Sequence, residues 1–174
     1  MISNLARTVF VALVATLGDY VWFEYRVPHT TLNGITHGAA LLVAVGLVLG
    51  QQRGEMIRGI VGGAVAGVAG ALTFYALSGA LGYLGALIAA WIFMWIVLAG
   101  VSAWVRGRVA YLGEWIVPGL IAAVGSGAMF YLVSGIWTDP VRGVSRNYLW
   151  HLAAWTLAWG PGIVALTWNH ERTT

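Results

Sequence analysis

Between Arg58 and Arg106 the chain carries no aspartate, glutamate, lysine, arginine or histidine. In hydrocarbon every backbone N–H and C=O must find its partner within the protein, and a helix does this locally. A helix needs about 20 apolar residues to cross the core of a bilayer. The uncharged run is more than twice that long, so it is expected to cross, turn and cross again. The turn is expected in "SGALGYLG", where glycines permit a tight reversal.

The rest of the chain repeats the pattern. Apolar segments cover about 5–25, 32–50, 59–79, 81–104, 115–137 and 147–168. Charged residues make up 9% of the chain, against about 25% in soluble domains. The expectation is an all-α fold: one domain over 1–174, an integral membrane bundle of six transmembrane helices. If 59–104 formed a single span the number would fall to five. The connections, among them "QQRGEMIR", "RGRVAYLGE" and "TDPVRGVSR", are too short to hold a soluble domain. Any chemistry must then lie in the membrane or at its edge.

Arginine placement sets the expected orientation. All nine basic residues are arginine. With the N-terminus inside, Arg7, Arg53, Arg58, Arg106, Arg108 and Arg172 are inner, and Arg26, Arg142 and Arg146 are outer. The excess favours both termini in the cytoplasm, in a bacterial inner membrane. Leu13 and Ala15 make a poor cleavage site, so no cleaved signal peptide is expected. The net charge of +3 is spread over loops and reads as a topology signal, not as a surface for nucleic acid. The lack of cysteine excludes disulfides, thiolate metal sites and cysteine nucleophiles.

Segment 59–79 has small residues at every fourth position. Gly59, Gly63, Gly67 and Ala71 form one row; Gly62, Ala66 and Gly70 form a second. Such rows let helix backbones approach closely. They suit a homo-oligomer or membrane-complex interface, or packing within the chain. Of the ten tryptophans, Trp22, Trp104, Trp115, Trp137, Trp150 and Trp168 fall near segment ends, as in an aromatic belt. Trp91, Trp95, Trp155 and Trp159 lie deeper and can pack the core or line a ligand cavity. Pro118 fits a first helical turn, whereas Pro161 lies mid-span and should loosen its helix.

The ionisable residues gather in one leaflet. Asp19 lies about 9 Å along its helix from the outer end. His37 and His151 enter their segments from the same side, with Asp139, Arg142 and Arg146 in the adjoining loop. The inner halves hold little beyond Thr8, Ser102 and Thr167, which argues against an ion path through the protein. "NGITHGAA" at 33–40 parallels "NYLWHLAA" at 147–154. In each, Asn33 or Asn147 precedes its histidine by four residues and shares its helix face, so it can hydrogen-bond the ring and fix its tautomer. Asp19 and Glu24 are about 140° apart on a helix and do not form a dyad. A carboxylate within a span costs about 2.5–3.5 kcal/mol at mid-depth and marks a functional site unless a structural partner neutralises it.

Three readings of this constellation stand. The first is a membrane-embedded enzyme or binding protein for a lipid, isoprenoid-like or other apolar substrate. Asp19, His37 and His151 would be the acid–base residues. Arg142 and Arg146 would hold an anionic headgroup, with Asn33, Asn147, Trp137 and Trp150 lining the site. The second is a haem or metal protein, with His37 and His151 as axial ligands or joined by Asp19 in a 2-His-1-carboxylate site. The third is a non-catalytic subunit of a membrane complex, or a small-solute transporter, with Gly59, Gly63 and Gly67 at the partner interface. The residues alone name no cofactor.

Overall fold

The computed structural model describes residues 3–111, 113, 115–134 and 147–167; for 133 and 134 only the helical backbone is described. All the regular structure among the described residues is helical, with no strand among them. The helices are α1 (Asn4–Glu24), α2 (Thr31–Gln51), α3 (Met56–Val105), α4 (Ile116–Ser134) and α5 (Tyr148–Thr167). Four of these, α1, α2, α3 and α5, are long and apolar enough to cross a membrane, and α4 is apolar over Ile116–Leu132. Polar caps start α1 and α2, as one also starts α5: Ser3 Oγ accepts from Ala6 N, and Thr30 Oγ1 accepts from Asn33 N, each at 3.2 Å.

α3 is not one rod. Gly82 interrupts its 50 residues at φ 68°, ψ 176°, a conformation open to glycine and costly for other residues. The packing shows the chain doubling back there. A Cβ at Gly62 would fall 2.5 Å from Val101 Cγ1, and one at Gly70 would fall 3.3 Å from Met94 Cβ. On a straight helix residues so far apart in sequence would be tens of ångströms apart. The reversal lies within "SGALGYLG", where the glycines led us to expect it.

Both small-residue rows are used inside the chain. A Cβ at Gly59 would strike the Gly46 carbonyl, one at Gly63 that of Leu42, and one at Gly67 that of Gly38. The α2 and α3 backbones therefore lie in direct contact along most of α2. The second row faces the other limb of α3. Gly59, Gly63 and Gly67 are buried against α2. Of the two packings that their spacing suits, these glycines make the one within the chain. The physical reason is that close approach is satisfied by the nearest antiparallel neighbour, which a short connection supplies.

α5 closes the bundle against α1, α4 and the second limb of α3. Trp95, fully buried, lies over Gly162, where a Cβ would collide with its ring. Pro161 cannot donate to its own helix. One residue on, Gly162 N donates to the fully buried Ser126 Oγ at 2.9 Å, tying α5 to α4 beside the proline. Ser102 Oγ donates to Leu166 O at 3.3 Å and ties α5 to α3. Ser126→Ala should lower stability by about 1–2 kcal/mol, the upper range for one hydrogen bond between membrane helices. Thermal unfolding of the two proteins in the same detergent checks this; unchanged midpoints would show that the bond contributes nothing.

Candidate functional site

The ends of α1 and of the first limb of α3 lie together with the starts of α2 and α5. At this end Asp19 faces α5. Its Oδ2 is 2.7 Å from His151 Nδ1 and 2.7 Å from Trp155 Nε1, and the indole N–H donates to it. Tyr148, His151 and Trp155 are spaced three and four apart, so one face of α5 meets α1. One turn further out, Tyr148 Oη donates to Glu24 Oε1 at 2.7 Å, and the Tyr148 ring meets Tyr20 edge-on at 5.2 Å. Phe23 packs edge-on against His151 at 6.0 Å. The His151 side chain is 8% exposed and the Asp19 side chain 19%.

His37 approaches α1 from α2. Its ring stands edge-on to Trp22 at 5.4 Å, and a Cβ at Gly18 would fall 2.6 Å from its Cε1. Gly18 is thus the notch that admits the ring. His37 makes no hydrogen bond among the described residues. Trp22 Nε1 donates to His29 Nε2 at 3.4 Å.

The two histidines therefore meet different faces of α1: His37 at Gly18 and Trp22, His151 at Asp19 and Phe23. Successive helix positions differ by about 100°, so the rings do not face each other across an open slot, as bis-histidine haem ligation requires. Among the described residues no three histidine, aspartate or glutamate side chains are grouped to hold a metal ion. The described geometry thus gives neither haem nor a 2-His-1-carboxylate centre a ligand set.

The paired asparagines act on backbone. Asn147 Oδ1 accepts from Trp150 N at 3.2 Å and caps α5; Asn33 Nδ2 donates to Pro28 O at 2.9 Å and pins the α1–α2 loop. Neither bonds its histidine, contrary to the expectation from the four-residue spacing. A helix start leaves N–H groups unpaired, and a nearby Asn satisfies those first. Asn147→Ala should cost about 1 kcal/mol through loss of the cap. It should leave the His151–Asp19 pair intact, seen as an unchanged His151 imidazole signal by NMR. The Trp150 indole makes no hydrogen bond or ring contact with the Asp19 group. Trp137, Arg142 and Arg146 lie outside the described residues.

The four deep tryptophans form one cluster. Trp95 and Trp159 lie 5.3 Å apart, Trp91 and Trp159 5.6 Å, and Trp155 and Trp159 6.2 Å. Phe130 stacks on Trp91 at 5.3 Å and on Trp155 at 5.2 Å. Beside the cluster is a chamber of about 210 Å³ between α2, both limbs of α3 and α5, open to its surroundings on one side. Gly34, Gly38, Ala71, Tyr75, Trp91, Trp155 and Trp159 are among its lining residues. Trp155 thus belongs to both places: its N–H is held by Asp19 and its ring lines the chamber. The buried indole nitrogens of Trp91, Trp95 and Trp159 have no hydrogen-bond partner among the described residues. A buried donor left so costs about 1–3 kcal/mol.

The sequence reading missed the parts played by Tyr148, Trp155 and Ser126. A signal existed for the first two: they stand three before and four after His151, on its helix face. No local pattern marks Ser126. No family model, curated protein or solved structure matches this chain.

Proposed function

We propose that this protein is a bacterial inner-membrane protein that binds an apolar, lipid- or isoprenoid-like molecule in the chamber between α2, α3 and α5. It crosses the bilayer six times with both termini in the cytoplasm, and the Asp19 end of the bundle faces the periplasm. The arginine distribution supports the orientation, and the reversal of α3 at Gly82 supports two crossings for that helix.

One observation carries the functional reading: Asp19 holds both His151 and Trp155 at 2.7 Å, while the Trp155 ring lines the chamber. Neither Asp19 nor His151 lines the chamber itself. The pair acts through Trp155, fixing the rotamer of a wall residue, and this favours binding over turnover. The cost of a carboxylate in the membrane is offset locally by its two donors.

The reading predicts that protein purified from its native membrane releases an apolar molecule in near-stoichiometric amount on solvent extraction. Ala71→Leu, which fills the chamber, should lower that amount at least about tenfold, the effect of about 1.4 kcal/mol. Mass spectrometry of the two extracts against a detergent blank makes the comparison. An extract from the folded native protein that matches the blank would overturn the reading.

A further inference from the structure

The chamber has an open end and a closed one. On each helix around it the outermost lining residue is partly exposed: Gly34 on α2, Tyr75 and Leu87 on the two limbs of α3, and Trp155 on α5. The innermost are buried: Leu42, Gly67, Met94 and Trp159. Gly34 and Leu42 are eight residues apart, so the chamber runs about 12 Å from the Asp19 end of the bundle toward its middle. Beyond Leu42 the fully buried side chains of Val45, Trp95 and Leu98 seal it from the other half. Met94 makes the floor. It stands over Gly70, where a Cβ would fall 3.3 Å from its own, and both residues line the chamber. No charged side chain does so among the described residues. The one hydroxyl in the lining, that of Tyr75, is at the open end against Gly34. What polarity there is thus gathers at the mouth, and the floor is apolar.

We propose that the chamber is a blind shaft for the tail of a single-chain amphiphile, entered tail-first from the periplasmic face, with Met94 as the stop that sets the tail's length. This rests on the binding role proposed for the chamber and adds which way the ligand lies and how much of it enters. A cavity of about 150 Å³ holds the six carbons of benzene, about 25 Å³ for each. At that density a space of about 210 Å³ holds a tail of about eight carbons. The polar head stays at the mouth, because a hydroxyl or charge carried to the floor would find no partner among the side chains there. A longer tail leaves its outer carbons outside the shaft. Cutting Met94 back to Cβ vacates the place of three heavy atoms and so makes room for about three more carbons.

The probes are the straight-chain primary alcohols from hexanol to tetradecanol, with octane-diol hydroxylated at both ends, all radiolabelled. Each is equilibrated with the whole chain in lipid nanodiscs and with empty nanodiscs of the same lipid, and saturable binding is referred to the free aqueous concentration. Each methylene that enters the shaft should tighten binding about fourfold. In the native protein this gain should run to about octanol and stop, and in Met94→Ala it should run about three carbons further. The diol should bind at least about tenfold more weakly than octanol, since its second hydroxyl would reach the floor. A gain that continues past decanol in the native protein, or an end-point left unmoved in a folded Met94→Ala protein, would overturn the length-setting role of Met94 while leaving the chamber a binding site. Equal affinity for octanol and the diol would overturn tail-first entry. Absence of saturable binding for every alcohol would overturn the whole proposal, and the extraction experiment then judges the chamber independently. The native series and the diol need no variant, so the test survives a Met94→Ala protein that does not fold.

Discussion

Leucine in place of Gly63 is expected to prevent the chain from reaching its fold. Gly63 faces α2 with no space between the backbones, and even the Cβ of an alanine there would meet the Leu42 carbonyl. The obstacle is backbone, so no rotamer change relieves it; α2 must move bodily from α3. Two helices in lipid gain nothing from hiding apolar surface, and their association depends on van der Waals contact and hydrogen bonds. Separation therefore forfeits the main term holding α2 in place. We expect a loss of at least about 3 kcal/mol, the upper end of overpacking effects, seen as a collapse in folded yield and in the unfolding midpoint. Gly79 supplies the control within the same helix. A Cβ there meets nothing within 4 Å, so Gly79→Leu should change stability by less than about 0.5 kcal/mol. Equal behaviour of the two variants by circular dichroism in detergent would refute direct backbone contact between α2 and α3.

Removing the Asp19 carboxylate should have the next largest effect. Asp19→Ala deprives His151 Nδ1 and Trp155 Nε1 of their shared acceptor. In a water-soluble core two orphaned donors would cost about 2–6 kcal/mol. In a membrane the unfolded chain also finds partners, and single bonds average about 0.6 and reach about 1.7 kcal/mol. The membrane scale applies here, so about 1–3 kcal/mol is expected. Asp19→Asn keeps an acceptor for Trp155 and should cost less than half as much. The two variants should separate in ligand retention as well: the alanine frees the Trp155 ring, while the asparagine holds it. Retention lost equally in both, with the fold intact, would instead assign the role to the charge of Asp19. An alanine variant as stable as the native protein would show that the hydrogen bonds contribute nothing.

These two sites differ in how much of them could be read beforehand. The glycine rows were plain in the sequence, since a four-residue spacing of small side chains means close approach. Their target was not. The same row suits another chain or a neighbouring helix, and only the antiparallel course of α2 and α3 decides between them. Asp19 was legible as a costly residue that needed a partner, and His151 as one of the candidates. His37 was equally eligible by depth and type, yet it meets α1 at the Gly18 notch without a hydrogen bond among the described residues. The parallel between "NGITHGAA" and "NYLWHLAA" was real as sequence, but the two asparagines were drawn to the loop and the helix start beside them.

The sequence by itself determined the solvent and the secondary structure. An uncharged, apolar run from Arg58 to Arg106 favours helix, and the glycines within it mark where the chain turns back. Those outcomes depend on local chemistry: backbone hydrogen bonding, side-chain charge and the freedom of glycine. Only the tertiary structure decided which faces meet. It brought Trp155 to Asp19 across 136 residues, gathered the four deep tryptophans into one cluster, and left a chamber beside them. In an apolar helix nearly every face is equally comfortable in lipid. Periodicity therefore carries little information about packing, and the choice falls to shape: where a glycine opens a notch, an indole or an imidazole fills it.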